Sequence, residues 1–169
     1  MEEREPYEAY MRRRNLEEDT RELKWDNRFM ELAKTISGWS KDPSSKIGAV
    51  AVNDERRILA TGYNGFPKGI EDSQERLNDR EQKYPLIVHA ETNALMNALY
   101  AGVSLKNATM YVHGLPVCPD CTKLIIQAGI RRIVINKFVM NTPEKWVELW
   151  NSKSGPMFKE AGVLVTQLG

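Results

Sequence analysis

Two short segments hold the residues best suited to chemistry: His89-Ala90-Glu91 and Cys118-Pro119-Asp120-Cys121. Cys118 and Cys121 are three residues apart, a spacing that brings two sulfurs to one ion at the first turn of a helix. The partial positive charge of a helix N-terminus also favours thiolate over thiol. A bare Cys-x-x-Cys leaves two other readings open. One is a redox pair, which wants the strand and helix of a thioredoxin-like unit. The other is a structural zinc knuckle, which wants four protein ligands. With two cysteines and two histidines in the chain, a closed site would consume both His89 and His113, and nothing in the spacing favours it. His89 gains meaning from Glu91 two residues on. Side chains at i and i+2 do not share a helix face, but at a helix start both can reach one cavity. His89, Cys118 and Cys121 then supply three ligands and leave a fourth position for water, the pattern of a catalytic zinc. Glu91 is not needed as a ligand and is free to move protons.

Both segments fall at predicted helix starts. Ile87 to Tyr100 has the composition of a buried helix with Gly102 near its end, and Tyr84-Pro85 marks its start. Pro119 to Ala128 reads as a second helix, with Pro119 in the first turn and Gly129 as its C-terminal cap. Strands are expected at Ile47–Val52, Arg57–Tyr63, Thr109–Val112, Ile130–Ile135 and Val163–Thr166. Asn53 to Arg56 turns between the first two, and Gly62 to Gly69 forms a glycine-rich loop before a charged stretch from Glu71 to Lys83. Trp25, Phe29, Leu32, Ala33 and Ile36 share one helical face, and Trp146, Leu149 and Trp150 suggest a later amphipathic helix. Phe158 and Ala161 suggest a short one. Strands alternating with helices imply an α/β fold layered around one sheet.

A chain of 169 residues suits one domain. Residues 1–24 form a charged arm or solvated helix including Arg12-Arg13-Arg14, and residues 25–169 form the folded domain. Net charge is +1, from 24 basic and 23 acidic side chains, a poor footprint for gripping the many phosphates of a polymer. No apolar run nears the roughly 20 residues of a membrane span, and no signal peptide opens the chain, so a cytoplasmic location is expected.

His-x-Glu followed by Cys-x-x-Cys resembles the signature of the zinc-dependent nucleobase deaminases. The likeness widens to the deoxycytidylate (dCMP) deaminase family through Trp39 to Val50, Gly62 to Gly69, His89 to Ala94 and Ile125 to Ile130. It spans Trp25 to Val165. One departure stands out: the family places proline directly before the first cysteine, whereas here Val117 separates Pro116 from Cys118. The resemblance implies a cytidine deaminase-like three-layer α/β/α fold, a mixed five-stranded sheet with helices on both faces. It implies hydrolysis of dCMP to dUMP and ammonia with one Zn2+ per chain, held by His89, Cys118 and Cys121, and with Glu91 as the catalytic acid and base. It assigns substrate contacts to Asn64 (at the sugar), Ala90, Lys46 and Pro116. It implies an allosteric nucleotide site at Lys41, Gly62, Tyr63, Gly65 and Lys68, where dCTP with Mg2+ activates and dTTP inhibits. A homo-oligomer is implied as well, a hexamer or a dimer or trimer.

The substrate phosphate needs a cation, and Lys41, Lys46 and Lys68 are the candidates in the two resembling loops. Two rival functions share the zinc motif. A deaminase of tRNA or single-stranded DNA would want a basic groove with stacking aromatics. A non-catalytic nucleotide sensor would use the glycine-rich loop and leave the zinc site idle; intact His89, Glu91, Cys118 and Cys121 argue against it.

Overall fold

A computed structural model of the chain describes residues 6–169. One mixed sheet runs in the order β2-β1-β3-β4-β5. β1 (Gly48–Val52) pairs antiparallel with β2 (Ile58–Tyr63) on one side and with β3 (Thr109–His113) on the other. β3, β4 (Arg132–Asn136) and β5 (Leu164–Leu168) are parallel. This is the mixed five-stranded sheet expected, with helices on both faces.

Residue alternation along β1 divides the core. Val50 and Val52 turn towards α1 (Tyr7–Ser37), where Phe29, Met30, Ala33 and Ile36 meet Tyr111, Val134 and Leu168. Ala49 and Ala51 turn towards α4 (Ala90–Ala101), α5 (Pro119–Gln127) and α7 (Gly155–Glu160). Close approach is enforced by glycine on each face. A Cβ on Gly48 would lie 2.0 Å from the carbonyl oxygen of Ala33, and one on Gly62 would lie 2.4 Å from that of Ala90. Asn93 and Asn97 then tie α4 to β2, donating to the carbonyls of Tyr63 and Thr61 at 2.7 Å each.

α1 is one unbroken helix of 31 residues, about 47 Å long at 1.5 Å per residue. It runs straight through the expected boundary at residue 24, and residues 1–5 of the expected arm lie outside the described residues. Residues 12–24 are exposed, and Arg13–Glu17 and Arg14–Glu18 pair at i, i+4. The helix is pinned at Asp26, which accepts from Arg132 at 3.0 and 2.6 Å and from the Tyr111 hydroxyl at 2.7 Å.

Two expectations shift. The helix expected from Ile87 begins at Ala90, because Val88 is held extended in a bridge with Gly65 (N–H to carbonyl 2.8 and 3.1 Å). The charged stretch also contains α2 (Gln74–Asn78) and α3 (Arg80–Leu86), capped by the Ser73 and Asp79 side chains, so Pro85 ends one helix rather than opening the next. Near the C-terminus, α6 (Glu144–Leu149) passes into a π-helical turn, Trp150–Ser154, that buries Trp150.

Candidate active site

The same local device places His89 and Cys118. Each is the N-cap of a helix, extended at φ −70°, ψ 155° and φ −73°, ψ 161°. An N-cap residue turns its side chain back over the helix end, so two caps on neighbouring helices can face one point. Pro119 follows Cys118 at the start of α5, where a missing N–H is harmless. One turn on, the Cys121 N–H donates to Cys118 Sγ at 3.4 Å.

His89 Nδ1 lies 3.3 Å from Cys118 Sγ and 3.4 Å from Cys121 Sγ, and the ligand atoms all fall within 4.8 Å of one another. Tetrahedral zinc with Zn–S near 2.3 Å and Zn–N near 2.0 Å sets its N and S ligands about 3.5 Å apart. The three donors therefore fit the metal. Among the described residues this is the only such cluster. His113 ends β3 on the α1 side of the sheet, beside Lys34, so a closed four-ligand site is not formed.

Hydrogen bonding from Cys121 draws the Cys118 thiol down to about 4, while the Cys118 sulfur and burial push Cys121 up. The pair thus shares one proton, whose place a divalent cation can take. The hydrogen bond to Cys118 raises His89. Thr92 Oγ1 lies 3.4 Å from Cys121 Sγ and supports that sulfur from the first turn of α4. Glu91, buried in the first turn of α4, is pushed up to about 7 by loss of solvation. A carboxyl poised there can both take and give a proton near neutral pH.

His89, Glu91 and Cys118 line a cleft of about 580 Å³, within the range of small-molecule sites. Asn64 and Pro116 line it too. Asn64 is buried, accepting from the Ile47 N–H at 2.9 Å and donating to the Ser45 carbonyl at 2.8 Å, so it also staples the loop that forms the cleft wall. Val117 turns into the core at 1% exposure, which leaves Pro116 and Leu115 on the wall despite the extra residue.

Ala90 and Lys46 do not line the cleft. Ala90 is fully buried against β2, and Lys46 donates to the Ser40 carbonyl. Lys41, paired with Asp72 at 2.9 Å, and Lys68 also lie outside it. Gly62 is buried under α4, Gly65 pairs with Val88, and Tyr63 is exposed with its ring 6.1 Å from that of Trp39.

The cations that do line the cleft are Arg80, Lys83 and Lys145, none of them expected. Lys83 is buried, with Nζ 3.2 Å from both Asp42 Oδ1 and Ser44 Oγ. Asp42 Oδ1 also accepts the Ser44 and Ser45 N–H groups at 2.8 and 3.3 Å. The i, i+3 spacing of Arg80 and Lys83 was the available signal, legible only once that stretch is known to be helical.

Residues 23–137 match the family model for the cytidine and deoxycytidylate deaminase zinc-binding region. An uncharacterized deaminase from the luxG 3′ region of Aliivibrio fischeri is 38% identical over 148 residues, covering 86% of this chain and 94% of that protein. The deoxycytidylate deaminase of Mus musculus is 40% identical over 146 residues, covering 83% of this chain and 78% of that protein. The crystal structure of the dCMP deaminase of cyanophage S-TIM5 in complex with dCMP and dUMP superposes with a TM-score of 0.66 at 26% identity, over 84% of this chain and 95% of that one.

Proposed function

Because the chain belongs to the cytidine and deoxycytidylate deaminase family, we propose that it hydrolyses dCMP to dUMP and ammonia in the cleft above His89, Cys118 and Cys121. The observation that carries the reading is the convergence of those three donors beside a buried carboxyl, Glu91. His89 Nδ1 and the two sulfurs would hold the zinc, which when bound would acidify a water in the cleft. Glu91 accepts that water's proton and donates it to N3 of the cytosine ring as oxygen adds to C4. The same carboxyl then carries the second proton to the departing amino group, which leaves as ammonia. A single residue serves as base and then acid because the two transfers occur in sequence. Leu115, Pro116 and Ile47 supply apolar wall for the ring, and Asn64 stands where a sugar hydroxyl can use its remaining hydrogen-bonding capacity.

The finer readings rest on the family resemblance. They are activation by dCTP with Mg2+ and inhibition by dTTP at Lys41, Gly62, Tyr63, Gly65 and Lys68, and a homo-oligomer. Exposed Met96, Leu99 and Tyr100 on α4 support an assembly surface. No helix among the described residues is long and apolar enough to cross a membrane. A cytoplasmic location is proposed from the reaction, since nucleotide pools lie there.

The test is ammonia release from dCMP, CMP, dCTP, deoxycytidine and a cytosine-containing single-stranded oligonucleotide, with and without zinc, and from dCMP again with dCTP and Mg2+. Turnover of dCMP well above the others is expected. Activity on the oligonucleotide alone would replace this reading with a nucleic-acid deaminase. No turnover by protein holding one zinc per chain would point to the sensor.

A further inference from the structure

We infer that Arg80 and Lys145 hold the 5′-phosphate of the substrate and so select a nucleotide over a nucleoside, an inference that rests on the dCMP reading above. Three cationic side chains line the cleft, and one is already committed: Lys83 is buried and bound to Asp42 and Ser44. Arg80 and Lys145 have no ion-pair partner among the described residues. Lys145 Nζ rests 5.5 Å from the centroid of the Trp146 ring, a contact that leaves its charge uncompensated. In a chain of net charge +1, two unpaired cations on one cleft are a local feature, not the by-product of a basic surface.

Their placement suits the task. Arg80, Lys83 and Tyr84 stand at i, i+3 and i+4 on α3, and all three line the cleft. The Lys83–Asp42 pair locks α3 to the loop that carries Ser44 and Ser45, so Arg80 projects from a fixed helix. Lys145 arrives from a separate element, α6, with Pro143 and Trp146 beside it. Both cations are exposed, whereas Glu91 and Cys118 are buried. A nucleotide therefore enters base first and leaves its dianionic phosphate at the rim. The guanidinium fork suits two phosphate oxygens and the ammonium acts as a point charge. One such pair serves one phosphate; a polynucleotide would need a longer basic track.

The experiment compares wild type, Arg80→Gln, Arg80→Lys, Lys145→Gln and a distant control, Lys106→Gln, all zinc-loaded. Steady-state kinetics are measured with dCMP and with deoxycytidine, and calorimetric binding with dUMP and with deoxyuridine. Each Gln variant should raise KM for dCMP and weaken dUMP binding about 10- to 100-fold, the scale of a charge-assisted hydrogen bond. kcat and the nucleoside values should hold, Arg80→Lys should recover part of the loss, and Lys106→Gln should match wild type. Unchanged dCMP and dUMP values in both Gln variants, or equal losses for nucleotide and nucleoside, would overturn the assignment, as would wild type that binds no dUMP. If dCMP is not turned over yet dUMP binding responds as described, the reaction fails and the phosphate site stands.

Discussion

Replacing Glu91 with Gln should abolish turnover and, at the same time, stabilise the metal-free protein. The Glu91 carboxyl is buried and titrates at about 7 instead of the ordinary 4.5. A folded-state pKa raised above the unfolded value means stability that is fully present below 4.5 and lost as pH rises through about 7. Above pH 8 the fold holds an ionised carboxylate away from water, at a cost of about 3 kcal/mol relative to the unfolded chain. Glutamine has nearly the same shape and no charge. Urea denaturation of zinc-free protein should therefore find Glu91→Gln more stable by about 3 kcal/mol at pH 8.5, a midpoint shift of about 1 to 2 M, and by only about 1 kcal/mol at pH 5. His89 and Cys121 are both raised in part by the Glu91 charge, so their smaller shifts travel with the carboxyl's in this difference. Zinc loading should narrow the gap, because a nearby cation stabilises the carboxylate, and Glu91→Gln should still bind one zinc. Equal midpoints at pH 8.5, or a gap that does not close on acidification, would refute the buried-charge argument. Retained turnover would refute the proton shuttle.

Cys121→Ser removes one of three converging donors and should leave the purified protein with far less than one zinc per chain by metal analysis; full occupancy would show another ligand set. Lys83→Met leaves Asp42 buried and unpaired, which should cost about 3–5 kcal/mol in chemical denaturation. Adding Asp42→Asn should recover much of that, and a fully additive double variant would deny the coupling. Gly62→Ala forces a Cβ to 2.4 Å from the Ala90 carbonyl oxygen and should cost at least about 1–3 kcal/mol, with zinc affinity falling as α4 is displaced. A melt and metal content equal to wild type would show that α4 yields freely.

The zinc motif and the layered fold were legible because both are written in local spacing. Cys118 and Cys121 lie one helical turn apart, and alternating apolar runs mark the strands. The cleft's cations were not legible in that way. Lys41, Lys46 and Lys68 stand in the loops that resemble the family, yet they turn outside, two of them engaged with Asp72 and the Ser40 carbonyl. Arg80 and Lys83 sit in a charged stretch to which the sequence assigns no element, since its helices are short and lack an apolar stripe. The start of α4 differs for a related reason: Ile87 and Val88 suit a helix by composition, but the bridge of Val88 to Gly65, distant in sequence, holds them extended.

By itself the sequence determined which atoms are available for chemistry, two thiols, an imidazole and a carboxyl, and the helical turn that sets Cys121 beside Cys118. Those properties depend on residues within one turn of each other. Only the tertiary structure decided that the two caps meet, that His113 stays on the far face of the sheet, and that Glu91 is dry enough to titrate near neutrality. It also decided which cations face the cleft. Burial and convergence depend on what packs against a residue from distant parts of the chain, and that is settled when β1 and β3 pair and α4 and α5 close over the same face of the sheet.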